Sequence, residues 1–155
     1  MNLTINYKNI YELFSNSSLI LDKSTINFVK EINANIPNSF GVYIFYKNSK
    51  SYENIIYIGK AGEMRTSGDK KSQGLQKRLT NIRDNKPANI YYKNVFDFLN
   101  LDEIVIEYFE TSQKFIPAFV EASLIQKYYF LNNKLPELNK SFKFLKKLQN
   151  NFLKS

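Results

Sequence analysis

GVYIFYKNSKSYENIIYIGK, residues 41–60, is the stretch whose reading decides the fold. Gly41 to Tyr46 and Ile55 to Ile58 are rich in β-branched and aromatic residues, and the polar segment between them carries Asn48, Ser49 and Ser51. Two such runs around a polar loop read as a β-hairpin. Strand side chains alternate with a period of two, so a hairpin centred near Lys50 sets Tyr43 and Tyr57 opposite each other on one face.

Working outward, residues 1–36 read as a helical lead-in: Tyr7 to Phe14, a polar break from Ser15 to Ser18, then Ser24 to Ile32 with Ser24 as N-cap and Pro37-Asn38 as the stop. Downstream, Lys60 to Gln73 is polar and reads as a long loop. Leu75, Leu79 and Ile82 fall at helical spacing, which predicts a helix from Gly74 to Lys86 ended by Pro87. A third strand is expected over Glu103 to Phe109, and Pro117 opens a helix that runs to about Leu131. The tail from Ser141 to Leu153 has the pattern of an amphipathic helix, with Phe144, Leu145, Leu148 and Phe152 on one side. The fold class expected is α+β, a small three-stranded antiparallel sheet flanked by helices. One central unit, 37–140, then carries helical extensions at 1–36 and 141–155.

Composition narrows the chemistry. The chain has 155 residues, 43% hydrophobic and 15% aromatic, enough for one packed domain. It contains no Cys and no His, which removes disulfides, Cys or His zinc sites, and every catalytic arrangement that needs an imidazole or a thiol. Catalysis, if present, runs on Tyr, Lys, Arg, Asp, Glu or a bound ion. The net charge of +8 suits a polyanionic partner, although an AT-rich coding bias toward Lys accounts for the charge equally well. No apolar run approaches the roughly 20 residues that span a bilayer, and the first residues lack the plan of a signal peptide. The expectation is a cytoplasmic protein with no membrane association.

Gly41-Val42-Tyr43, thirteen intervening residues, Tyr57-Ile58-Gly59-Lys60, Gly74-Leu75-Gln76-Lys77-Arg78-Leu79, Glu121 and Asn139 stand in the order of the GIY-YIG nuclease motif, which the chain resembles over about residues 40–140. The resemblance implies a GIY-YIG fold and a DNA endonuclease, restriction-type in its size, that hydrolyses phosphodiesters with one Mg2+ or Mn2+. It implies that 37–140 is the nuclease domain and that Tyr43 is the general base or positions the water, with Tyr57 beside it. Cutting both strands of a palindrome would suit a homodimer. A repair, recombination or single-strand nuclease is the alternative within the class, and a non-catalytic nucleic-acid-binding module the alternative outside it.

The residue types fit that chemistry on their own terms. A guanidinium forms two hydrogen bonds to a phosphate that is gaining charge, and Arg78 lies about 60° around its helix from Leu75, toward the sheet. Glu121 shares a helix stripe with Ala118, Ile125 and Tyr128, where a carboxylate is expensive unless it is paired or holds a metal. An oxygen ligand that leaves waters on the ion is the usual hold for magnesium beside phosphate. Tyrosine, with an ordinary pKa of about 10, needs cationic help to act as a base, and Lys60 is one source. Family members often carry a His or Tyr one turn after the arginine. Here that position is Ile82, which leaves the base open between Tyr43 and the lysines Lys60, Lys70 and Lys71. Lys60, Lys70, Lys71, Lys77, Arg78 and Asn139 are the candidate nucleic-acid contacts, and the resemblance gives Asn139 two roles, supporting the site or contacting the backbone of the nucleic acid. Tyr91 and Tyr92 read as core packing before base stacking.

Overall fold

The computed structural model describes residues 4–64, 67, 70–71, 73–83, 85–111 and 114–139. The expected amphipathic helix at 141–155 lies outside them. In chain order the elements are α1 (Ile10–Leu13), β1 (Ser15–Asp22), α2 (Phe28–Asn35), β2 (Gly41–Lys47), β3 (Ile55–Ala61), β4 (Glu63–Met64), β5 (Lys70–Lys71), α3 (Leu75–Thr80), α4 (Ala88–Leu99), β6 (Glu103–Glu110) and α5 (Pro117–Asn132). None of these helices is long and apolar enough to cross a membrane.

The architecture is α+β, and the main sheet has four antiparallel strands in the order β1-β6-β2-β3 rather than three. The additional strand comes from the segment expected to be a helical extension. Ser15–Asp22 pairs along its whole length with β6, from Ser15 opposite Glu110 to Asp22 opposite Glu103. It reads as a polar break because an edge strand covered on one face needs few apolar residues. Leu21 is fully buried and Leu19 packs beside it, while Ile20 on the other face is 58% exposed. After that strand, Asn27 and not Ser24 caps α2, its side-chain oxygen accepting from the Lys30 amide at 3.0 Å.

The hairpin forms, with a register two residues away from the expected one. Tyr43 faces Gly59 and Phe45 faces Tyr57, because the chain between the strands makes a short 3-10 turn at Tyr52–Asn54 and the hairpin pivots later. A shift of two preserves the face, so Tyr43 and Tyr57 remain on one side, ring centroids 5.8 Å apart. Between Lys60 and Gln73 the expected loop contains the two-stranded β4–β5 hairpin.

The helix expected over Gly74 to Lys86 stops at Thr80, whose hydroxyl turns back to the Gln76 carbonyl at 2.8 Å. Pro87 begins a helix instead of only ending one. In α4 the buried residues Ala88, Tyr92, Val95 and Phe96 recur at helical spacing, and Asn100 closes the helix in the left-handed conformation with φ 50.

The sheet separates two cores. On one face, Tyr43, Phe45, Ile104 and Ile106 pack with α2, α3 and α4; on the other, Val42, Ile44, Val105 and Phe109 pack with α1 and α5. The second core contains Glu107, 1% exposed on β6. The hydroxyls of Tyr11 and Tyr46 each donate to its Oε1 at 2.8 Å, and Lys50 Nζ lies 2.9 Å from Oε2. This pairs a carboxylate that would otherwise be buried at high cost, and it ties the loop between β2 and β3 down onto the sheet. Both cores draw on the first 36 residues, so that segment is integral to the fold.

Because Leu21 belongs to β1 and to the main core, Leu21→Ala should destabilise the fold by about 2–5 kcal/mol in urea denaturation. A loss well under that would mean that the N-terminal segment is a peripheral addition.

Candidate active site

β3 is an edge strand, so side chains from either face of the sheet can meet around its rim. At its C-terminal end they enclose a cleft of about 190 Å3. Tyr57 and Lys60 contribute from β3, Gly62 from the turn into β4, Glu63 from β4, Gln73 from the segment just before α3, Arg78 from α3, and Glu121 from α5. Tyr57 and Lys60 are three residues apart and therefore leave opposite faces of the strand. α3 packs on the Tyr57 face and α5 on the other, which brings Arg78 and Glu121 to one place.

Two glycines make this geometry possible. Gly59 lies under the Tyr43 ring: a Cβ there would stand 2.5 Å from Tyr43 Cζ and 2.6 Å from its Oη, closer than side chains approach. Gly62 has φ +96 and turns the chain from β3 into β4. Asn139 secures the strand from outside. Its Oδ1 accepts from the Ile58 amide at 3.0 Å and its Nδ2 donates to the Ile58 carbonyl at 2.9 Å, while the Leu138 amide donates to the Ile56 carbonyl at 2.8 Å. Both polar ends of Asn139 are thus used on the strand that carries Tyr57, the supporting one of the two roles the motif suggests. To contact nucleic acid, the side chain would have to leave this clip.

Glu121 makes no ion pair and no side-chain hydrogen bond among the described residues. Burial pushes its carboxyl up to about 7, against the opposing pull of Lys60 and Arg78. Burial, followed by the neighbouring Tyr43 hydroxyl, also raises the Tyr57 hydroxyl well above its ordinary range. The cations that oppose this are Arg83 and Arg78, whereas Lys60 bears on Glu121.

Of the residues singled out in the sequence, Tyr57, Lys60, Arg78 and Glu121 share the cleft. Tyr43 is fully buried behind it, in contact with Tyr57 and not on the lining. Lys77 is exposed beside Arg78 and does not line the cleft. Lys70 and Lys71 form β5, and their side chains are outside the described part of the structure. Glu63, Gln73 and Arg83 were not singled out. Glu63 and Gln73 occur in a polar segment with no periodicity to mark them, and the scarcity of arginine was the only signal for Arg83.

Among the described residues no group of three or more acidic side chains is arranged to hold a metal. What the cleft offers is a set of hard oxygen donors, chiefly the Glu121 carboxylate, with Glu63 and the Gln73 amide on the same lining. That set fits an ion such as magnesium, which keeps most of its waters and needs only one or two carboxylates. Compared with known proteins, the chain matches no family model, no curated protein and no solved structure.

The raised Glu121 has a consequence for stability. Unfolded, this carboxyl releases its proton near 4.5; folded, it holds it to about 7. Between those values the native chain binds the extra proton, so stability falls as pH rises through the window and the full penalty is present above it. Glu121→Gln should therefore raise the melting temperature in metal-free buffer at about pH 8 and flatten the pH dependence between 4.5 and 7. A lower melting temperature for the variant would assign Glu121 to a structural ion pair.

Proposed function

We propose that the chain is a divalent-metal-dependent DNA endonuclease of the GIY-YIG type. The observation that carries this reading is the meeting of Tyr57, Lys60, Arg78 and Glu121, from one edge strand and the helices on both faces of the sheet, on one small polar cleft at the rim of β3. Nothing in the packing of a two-core sheet protein requires a carboxylate, a guanidinium and a lysine at one rim. A phosphodiester and a hydrated cation require all three.

Arg78, exposed at the mouth of the cleft, is the group that grips the scissile phosphate, and its two parallel N–H bonds strengthen as charge builds on the phosphate oxygens. Lys60 adds a point charge next to it. Glu121 in its ionised form holds Mg2+ or Mn2+, which when bound supplies further neutralisation of the attacked phosphate. Tyr57 presents the tyrosine hydroxyl at the cleft and orients the attacking water; Tyr43 fixes the Tyr57 ring from behind. The basic surface of a +8 chain serves to hold the DNA backbone.

Purified protein incubated with plasmid, single-stranded DNA and RNA, with and without magnesium, tests the proposal: plasmid should be cut with magnesium or manganese and remain intact in excess EDTA. Full cleavage in EDTA, or cleavage of RNA alone, would contradict it. Arg78→Ala should lower turnover by about a hundredfold or more with the fold intact, and Arg78→Lys should recover little because an ammonium lacks the fork. Near-normal cleavage by either variant would mean that another group holds the phosphate.

A further inference from the structure

Arg83 belongs to none of the motif positions, yet its guanidinium lies at the centre of the aromatic layer behind the cleft. Helix α3 ends at Thr80, and Arg83 and Lys86 then exchange main-chain hydrogen bonds, each amide donating to the other's carbonyl at 2.9 Å. This bridge fixes where the side chain starts. The guanidinium carbon is 4.8 Å from the ring centroid of Tyr91, 5.2 Å from Tyr57, 5.7 Å from Phe45 and 5.9 Å from Tyr43. Arg83 Nη1 donates to Tyr43 Oη at 3.2 Å.

A half-buried cation normally takes a carboxylate partner, and Arg83 forms no such ion pair among the described residues. Four ring faces and one phenol oxygen hold it instead. Charge so placed is not cancelled by a carboxylate among the described residues and is felt by the groups that surround it. Those groups include Tyr91 and Tyr92, the Tyr43 hydroxyl, to which it is bonded, and Tyr57, which Tyr43 contacts and which opens onto the cleft. The position one turn after Arg78 is Ile82, 72% exposed and chemically inert.

We infer that Arg83 is a positioning residue for the proposed hydrolysis: by bonding Tyr43 and stacking on Tyr57 it fixes the tyrosine pair and supplies the positive charge that Ile82 cannot. Arg83 acts through the tyrosines and does not touch the substrate. The inference rests on the nuclease reading of the cleft, but its first consequence is chemical and independent of cleavage: the Tyr57 oxygen should be more readily ionised with Arg83 present than without it. Tyr57 is also faced by Tyr43 from β2, Arg78 from α3 and Tyr92 from α4. Lys60, Glu63 and Glu121 lie with it on the cleft lining. None of these changes when Arg83 is replaced.

Tetranitromethane, which modifies the phenolate form of accessible tyrosines, provides the test, with the modified positions mapped by mass spectrometry in wild type, Arg83→Met and Arg83→Lys. At about pH 8, nitration of Tyr57 relative to the half-exposed Tyr129 should fall by about threefold or more in Arg83→Met, and Arg83→Lys, which keeps the charge, should stay closer to wild type. Unchanged or increased nitration of Tyr57 in Arg83→Met, whether or not that variant keeps its fold by thermal melting, would overturn the inference. If the wild type cuts DNA, turnover should fall about tenfold or more in Arg83→Met with KM for DNA within about twofold. Tyr43→Phe in the same background should add no further loss, since both changes break one connection. Losses that multiply would show that Arg83 does not act through Tyr43. If the wild type fails to cut DNA while the nitration result holds, the nuclease reading falls and the coupling of Arg83 to Tyr57 stands.

Discussion

The contact between the Tyr43 ring and Gly59 is the constraint on which the site depends. The two residues face each other across β2 and β3, and the space a β-carbon would need at Gly59 is already filled by the phenol. A buried tyrosine whose phenol end closes on a glycine locks the register of the hairpin, since a one-residue slip would send every side chain to the wrong core. With the register fixed, Tyr57 is held diagonal to Tyr43, Lys60 projects on the opposite side, and the turn at Gly62 falls where Glu63 can join the rim. The aromatic layer formed by Tyr43, Phe45 and Tyr57 is in turn the surface on which Arg83 rests.

Positioning of the other groups follows from how two cores are built on one sheet. α3 and α5 pack on opposite faces, and only at an edge strand can residues from both approach one another without passing through the sheet. Asn139 matters for the same reason. An edge strand has unpaired main-chain groups, and the amide of Asn139 pairs with both polar groups of Ile58, covering the middle of β3 while its end stays open at the cleft. Glu121, which pairs with none of the described residues, is poised by the same geometry. It is buried enough to resist ionisation in the absence of a cation, and it lies near Arg78 and Lys60 without being paired to either.

Much of this was legible in the sequence where periodicity and composition act locally. The β2–β3 hairpin, β6 and α5 follow from apolar runs and from Pro117, and the cleft residues Tyr57, Lys60, Arg78 and Glu121 follow from the pattern that resembles the GIY-YIG motif. What was not legible is tertiary in origin. β1 reads as a polar break because its burial depends on β6, more than eighty residues away in sequence. Pro87 stops a helix and also starts one, and only the packing of Tyr92 and Phe96 decides that α4 forms. The hairpin register depends on a short 3-10 turn that composition does not mark. Arg83 was overlooked because its partners are ring faces from three separate segments, which leave no spacing in the chain. The assignment of Tyr43 as a group at the site is also refined by packing, since its hydroxyl is turned to Arg83 behind the cleft.

In the proposed function Glu121 holds a cation beside a phosphodiester, and cleavage and DNA binding measured together on Glu121→Gln address this most directly. Glutamine keeps the shape and removes the charge that would hold the ion, while the basic surface proposed to meet the DNA backbone is untouched. The predicted result is a folded protein that shifts DNA in a gel as the wild type does and fails to cut plasmid in magnesium. A folded Glu121→Gln protein that cuts at the wild-type rate would contradict the account.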